Sequence, residues 1–118
     1  MAHPLNWYAG WSLLMAAVLT GALLGLGFHR DDFLGGYDSW RRRLFRLGHI
    51  ALAAIGMLNI LLGLSPIPKN SLASYSLFAT GILMPGICFL SAWRKPFRSL
   101  FFLPVACFSL AILLILLG

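Results

Sequence analysis

Four stretches of this chain contain no Asp, Glu, Lys or Arg, and each is 18 to 22 residues long. They are Trp7–Phe28, Leu47–Leu64, Leu72–Trp93 and Leu100–Leu117. As α-helices, stretches of this length measure about 27 to 33 Å, which matches the hydrocarbon thickness of a bilayer. The sequence therefore predicts an all-α integral membrane protein with one domain, residues 1–118, and four transmembrane helices in an antiparallel up-down bundle.

The nine Lys and Arg residues lie between these stretches, and eight of them lie in the first and third connections. Because basic residues concentrate in cytoplasmic loops, this alternation predicts the orientation of the chain. Loops 29–46 and 94–99 are expected in the cytoplasm, and loop 65–71, which carries Lys69, is expected outside. Both termini are then outside, and the expected location is the inner (plasma) membrane of a prokaryotic-type cell.

The composition leaves no material for a soluble domain, since only 38 of the 118 residues remain for loops and termini. Charged residues make up 10% of the chain, against roughly 25% in soluble proteins. The net charge of +6 comes from residues beside the predicted helices, where they set topology and contact anionic headgroups. We therefore expect membrane lipids and other transmembrane subunits as partners, and no nucleic acid.

The first loop combines basic and aromatic residues. Asp38 is a candidate N-cap, and from Ser39 the chain could continue as one helix into the second span. Tyr and Trp rings favour the headgroup level, where Arg side chains reach phosphates. The segment is expected to be interfacial and amphipathic, either as a lipid anchor or as a surface that docks a partner. The residues assigned to this lipid or partner interface are Tyr37, Trp40, Arg41, Arg42, Arg43, Arg46, Trp93, Arg94 and Lys95.

Small residues at helical spacing predict the faces through which the helices pack. Membrane helices associate by close van der Waals fit, because lipid provides little hydrophobic driving force. Span 1 carries three such residues at intervals of four, and spans 2 and 3 carry theirs at intervals of seven. The predicted packing residues are Ala17, Gly21, Gly25, Ala53, Gly56, Asn59, Gly63, Ser74 and Gly81. Span 4 ends in a run of bulky aliphatic residues and is expected to be the most exposed to lipid.

Histidines supply the candidate cofactor ligands. Among His, Asp, Glu, Lys and Arg, only His49 lies within a span, and such a residue is a candidate functional group. His29 follows span 1 at the same membrane face. Two imidazoles next to small residues could hold a flat ring between helices, so haem b or a quinone is a candidate ligand of His49 and His29. The leading interpretation requires no cofactor.

The other polar residues indicate structure rather than catalysis. Asn59 lies mid-span, and an amide in hydrocarbon requires a hydrogen-bond partner. Candidates on the neighbouring helix are Ser74, Ser76 and Thr80. The sequence contains no Ser/His/Asp constellation, metal-ligand cluster or phosphate loop, so we expect neither an enzyme nor a metal site. The length resembles that of the small multidrug-resistance exporters, but those require a Glu in the first helix that this chain lacks.

The leading interpretation is a small non-catalytic accessory subunit of a larger membrane complex, with a respiratory or photosynthetic electron-transfer assembly as a candidate host. One alternative is a haem- or quinone-binding electron-transfer subunit that uses His29 and His49. A second alternative is a small homo-oligomeric channel or carrier lined by Thr20, Asn59 and Thr80. The three hypotheses differ in whether the polar residues hold helices together, bind a ligand or line a pathway.

Overall fold

The computed structural model describes residues 3–28, 30, 32, 36, 39–66 and 71–118, with the side chains of Phe28 and Lys95 left aside. Its elements are α1 (Pro4–Phe28), α2 (Trp40–Leu64), α3 (Ser71–Trp93), the 3-10 helix η1 (Lys95–Phe101) and α4 (Phe102–Leu117). Four helical segments are long and apolar enough to cross a bilayer, namely Pro4–Gly27, Trp40–Leu64, Ser71–Trp93 and Pro96–Leu117. The prediction of an all-helical chain with four candidate membrane spans is confirmed.

α2 begins seven residues before the charge-free stretch from which it was predicted. The Ser39 side chain accepts a hydrogen bond from the Arg42 backbone N–H at 3.1 Å, which is an N-cap arrangement. The continuous helix expected after Ser39 is therefore confirmed. The cap is Ser39 itself, and Asp38 lies outside the described residues. α2 therefore extends into the predicted connection 29–46, because arginine limits the depth of a helix in lipid but is a good helix former.

The third connection is helical as well, although residues 94–99 were predicted as a loop. η1 begins at Lys95 and leads directly into α4. Pro96 lies in the first turn of η1, and Pro104 lies in the first turn of α4. A proline in a first turn removes a backbone N–H that has no intrahelical partner there. This applies to Pro96, whereas Pro104 lies within the candidate span Pro96–Leu117, because η1 leads directly into α4.

Each helix packs against the next one along the chain, and α1 also contacts α3. α3 is the most buried of the four spans and α4 is the least buried, as the bulky sequence of α4 predicts. The Cα atoms extend over 48 × 27 × 16 Å. An apolar groove of about 220 Å³, lined by residues of α2, α3 and α4, separates α4 from α2. The bundle is therefore elongated in cross-section and open along this groove.

Candidate functional site

Glycines bring the backbones of α1 and α2 into direct contact. A Cβ added to Gly10 would lie 2.6 Å from the carbonyl oxygen of Gly56 and 2.7 Å from the backbone nitrogen of Ile60. A Cβ added to Gly63 would lie 2.8 Å from the backbone nitrogen of Trp7. Backbone atoms cannot move aside as a flexible side chain can. These contacts fix the α1–α2 seam and leave no room in it for larger residues.

The structure places most of the small residues selected from the sequence against a neighbouring helix. Those that are buried or would clash through an added Cβ are Ala17, Gly21, Gly56, Asn59, Gly63, Ser74 and Gly81. Ala53 is half-buried and lines a groove between α1 and α2. Gly25 is exposed, and an added Cβ would meet none of the described residues within 4 Å, so its predicted place on a packing face is not seen in the described part of the chain. Steps of four residues rotate by about 40° around a helix, and two steps carry Gly25 away from the seam.

Two packing glycines were not selected from the sequence. Gly10 makes the closest backbone approach of α1, and a Cβ on Gly48 would lie 2.6 Å from the Phe89 ring. Gly10 lies seven residues before Ala17, and an interval of seven stays within about 20° of one helix face. The seven-residue interval that relates the small residues of spans 2 and 3 therefore also relates Gly10 to Ala17 in span 1.

A buried amide cluster joins α1, α2 and α3. Asn6 Nδ2 donates to Asn59 Oδ1 at 2.7 Å and to the Ser74 carbonyl oxygen at 3.1 Å. The Ser74 hydroxyl donates to Asn6 Oδ1. Asn59 Nδ2 donates to the carbonyl oxygens of Ile55 at 2.9 Å and Leu77 at 3.4 Å. Both asparagine side chains are 0% exposed, so these buried hydrogen bonds hold the three helices together.

The cluster corrects the partners expected for Asn59. Its amide contacts α3 through the Leu77 carbonyl oxygen, and in the described part of the chain it is linked to Ser74 through Asn6. Among the described residues, the Thr80 hydroxyl donates to the Ser76 carbonyl oxygen at 2.9 Å and no hydrogen bond joins it to Asn59. A Thr hydroxyl in a helix commonly bonds the carbonyl four residues earlier. The predicted first span begins at Trp7 and so excludes Asn6.

His49 lies in the α1–α2 seam, about 15 Å along α2 from Asn59. Its Nδ1 is 3.2 Å from Thr20 Oγ1. Its ring packs on Gly21, where an added Cβ would lie 2.7 Å from the imidazole Cε1. Gly21 is therefore the residue that makes room for the ring. The predicted pairing of His49 with His29 falls outside the part of the chain that the structure describes.

An apolar groove of about 530 Å³ adjoins His49. Its lining residues are Trp11, Leu14, Met15, Ala17, Val18, His49 and Ala53. A second cavity of about 320 Å³ is lined by Thr20, Leu23, Leu24, Phe45 and Phe89. The rings of Phe45 and Phe89 stack there with centroids 5.6 Å apart. His49 lines the 530 Å³ groove and Thr20 lines the 320 Å³ cavity, so the contact between these two residues lies between the two cavities.

The residues assigned to a lipid or partner interface divide into two groups. The Trp40 Nε1–H donates to the Ser91 carbonyl oxygen at 3.0 Å, and Arg42 is 6% exposed. Arg42 therefore faces the protein, unlike its predicted place at the interface, whereas Trp40 is half-buried and its interfacial role stays a prediction. Ser91 lies in the last turn of α3, where carbonyl groups lack intrahelical donors, so Trp40 satisfies one of them.

The second group is consistent with a surface role. Its exposed members are Arg41, Arg43, Trp93 and Arg94, and Arg46 is half-buried. The Arg94 guanidinium lies 5.4 Å from the centroid of the Trp93 ring. Tyr37 and the Lys95 side chain lie outside the described residues. The exposed cations sit at the start of α2 and the end of α3, which the Trp40–Ser91 hydrogen bond holds together.

No group of three or more His, Cys, Asp and Glu side chains gathers as a metal site would require, within the residues that the structure describes. No protein-family model, curated protein sequence or solved structure matches this chain. The features that bear on function are the amide cluster, the His49 seam and the open faces of the bundle.

Proposed function

We propose that this chain is a small non-catalytic accessory subunit of a larger membrane protein complex. The observation that carries the proposal is the open bundle, in which α4 packs on α3 and η1 while an apolar groove separates it from α2. Protein interiors are densely packed, because side chains that border a void lose dispersion contacts. A transmembrane helix of another subunit would fill this groove and complete the bundle. A respiratory or photosynthetic electron-transfer assembly is the host we expect.

The internal hydrogen bonds support a structural role for the mid-span polar residues. Asn59 and Thr80 are 0% exposed and donate to atoms of this chain. Thr20 lies within hydrogen-bond distance of the Ala16 carbonyl oxygen and of His49. A channel or carrier needs polar groups directed toward a pathway. These three residues, which were the candidate lining of a pathway, do not favour that alternative.

For the arrangement in the membrane, we propose an antiparallel up-down bundle with both termini outside. Two contacts support the antiparallel arrangement. Gly63, near the end of α2, adjoins Trp7, near the start of α1. Trp40, at the start of α2, forms a hydrogen bond with Ser91, near the end of α3. The exposed arginines of α2 and the residues after α3 then lie in the cytoplasm, next to anionic headgroups. The proposed location is the inner membrane of a prokaryotic-type cell.

Cysteine labelling tests the orientation. The background variant carries Cys88→Ala and Cys107→Ala, and a membrane-impermeant maleimide is added to intact cells. We expect Gly118→Cys to react, and we expect Arg43→Cys and Ser99→Cys to react only after the cells are opened, because the basic segments are cytoplasmic. Labelling of Arg43→Cys in intact cells, with Gly118→Cys protected, would reverse the proposed orientation.

Native electrophoresis tests membership in a complex. The tagged chain, expressed at its natural level and extracted in a gentle detergent, should migrate far above its mass of 13.0 kDa with defined companion chains. Leu61 lines the groove between α2 and α4 and is 63% exposed. Leu61→Trp fills the groove and should release the chain from the assembly. A monodisperse monomer without companion chains would refute the proposal.

The matched control is Leu26→Trp, which enlarges a side chain that is 73% exposed on α1. Because Leu26 lies away from the groove, this variant should remain in the assembly. Equal release of Leu26→Trp and Leu61→Trp would show that the groove is not the contact. Far-UV circular dichroism of both variants checks that the helices are retained.

A further inference from the structure

The hydrogen bonds of Thr20 determine which nitrogen of His49 carries the proton. Thr20 Oγ1 lies 2.9 Å from the Ala16 carbonyl oxygen, 3.1 Å from the Ala17 carbonyl oxygen and 3.2 Å from His49 Nδ1. The hydroxyl has a single hydrogen but two acceptor lone pairs. If it donates to a carbonyl, it can also accept a hydrogen bond from Nδ1–H. If it donates to Nδ1, the carbonyl bond is lost.

The first arrangement forms two hydrogen bonds and the second forms one. The second also leaves an Nε2–H donor in an apolar seam, where a polar group without a partner is costly. We infer that neutral His49 is protonated at Nδ1 and carries a lone pair at Nε2. Within the part of the chain that the structure describes, no atom forms a hydrogen bond with Nε2. An acceptor therefore remains available on a ring that lines the 530 Å³ groove.

The groove has the size and lining of a small-molecule site. Its volume lies within the range of roughly 300 to 1,000 Å³ that is typical of ligand pockets. All its lining residues other than His49 are apolar, and Trp11, Met15 and Val18 are exposed on the outer face of α1. A ligand could enter sideways from the bilayer. Trp and Met favour an aromatic ligand through ring stacking and sulfur–aromatic contacts.

We propose that this groove binds a lipid-soluble phenol of the hydroquinone type, whose hydroxyl donates a hydrogen bond to His49 Nε2. The ring of the ligand lies against Trp11 and Met15, and Gly21 keeps the imidazole in the seam. The acceptor state of Nε2 selects the hydroquinone over the corresponding quinone, because a quinone oxygen can only accept. The site does not depend on the chain being a subunit of a complex.

Histidine NMR of the purified protein in lipid nanodiscs tests the tautomer and the ligand together. The probe is trimethylhydroquinone, kept reduced under argon, with trimethylbenzoquinone as its oxidised counterpart. Without ligand, ¹⁵N shifts should show His49 protonated at Nδ1. Hydroquinone should move the Nε2 resonance and bind about tenfold more tightly than the quinone, which is the effect of one hydrogen bond.

Thr20→Val is the diagnostic variant, since it keeps the shape of residue 20 and removes the acceptor for Nδ1–H. It should free the proton to move to Nε2 and abolish the preference for hydroquinone. His49→Phe keeps a ring in the seam and should weaken hydroquinone binding about tenfold, the effect of the same lost hydrogen bond. Leu23→Ala changes the second cavity and should leave binding unchanged.

Each of the following results would overturn the proposal. The first is protonation of His49 at Nε2 in the unliganded protein. The second is equal affinity for hydroquinone and quinone in the wild-type chain, or an unchanged preference in Thr20→Val. The third is a Soret absorption band in the purified protein that disappears in His49→Phe, which would identify Nε2 as a haem ligand. Retention of helical circular dichroism in Thr20→Val ensures that a lost preference reports on the site and not on folding.

Discussion

Replacement of Gly10 by Ala should destabilise the protein by about 3 kcal/mol, the upper part of the usual range for overpacking. The added methyl group would lie 2.6 Å from the Gly56 carbonyl oxygen and 2.7 Å from the Ile60 nitrogen, so α1 and α2 would have to move apart. Separation of these helices would also lengthen the contacts of Trp7 with Gly63. The free energy of unfolding can be measured by circular dichroism during titration with sodium dodecyl sulfate in mixed micelles.

Gly25→Ala provides the matched control, since it makes the same chemical change on the same helix. Among the residues that the structure describes, none lies within 4 Å of an added Cβ at Gly25. Its effect should therefore be that of helix propensity alone, a stabilisation of up to about 1 kcal/mol. If Gly10→Ala and Gly25→Ala changed stability equally, the close approach of α1 and α2 at Gly10 would be incorrect.

Replacement of Asn59 by Leu should cost about 2 kcal/mol in the same assay. The side chains are similar in size, but Leu removes the acceptor that Asn6 Nδ2 reaches at 2.7 Å. A hydrogen of the Asn6 amide is then unsatisfied in an interior without water, and both residues are 0% exposed. Interhelical hydrogen bonds in membranes are often worth less than this, but Asn6 also contacts Ser74 and so couples three helices.

A double-mutant cycle isolates the Asn6–Asn59 interaction. Asn6→Leu and Asn59→Leu together should cost less than the sum of the single changes, with a coupling of about 1 kcal/mol, because the double variant leaves no orphaned amide. Ser12→Ala is the control, since the exposed Ser12 hydroxyl donates to the Tyr8 carbonyl oxygen in its own helix. Strict additivity of the two asparagine changes would contradict the 2.7 Å hydrogen bond.

The number and core of the helices could be predicted from the sequence because lipid imposes a length and excludes charge over that length. The same rule misplaced helix starts. Arginines end a hydrocarbon-spanning stretch but do not end a helix, so α2 continues back to Trp40, where Ser39 caps it. The rule also concealed η1, because a helix between two spans produces no change in charge that distinguishes it from a loop.

The candidate site was only partly predictable, for a geometric reason. Spacing along one helix identified Gly21 and His49, since both lie on faces rich in small residues. It could not show that Thr20 would meet His49 Nδ1, because that contact depends on how far α1 is rotated against α2. The Asn6–Asn59 contact also depends on how α1 lies against α2, since the two residues are 53 positions apart in the chain. To predict a contact between two helices, the rotation and shift of each helix against the other must be known. The spacing of residues along one helix shows only which face of that helix packs.

The amide cluster and the apolar packing of α4 imply that α4 is bound to the bundle more weakly than the other three helices. Hydrogen bonds join α1, α2 and α3, whereas α4 contacts the rest through apolar residues around Leu77 and Ala111. In a bilayer, an apolar contact between helices only replaces contacts with acyl chains. Contacts of α3 with α4 and contacts of α3 with lipid tails are therefore expected to differ little in free energy. Separation of α1, α2 and α3, by contrast, would expose amide groups to hydrocarbon. We expect a rigid trio with an exchangeable fourth helix, which a neighbouring subunit could displace while His49 stays in its seam.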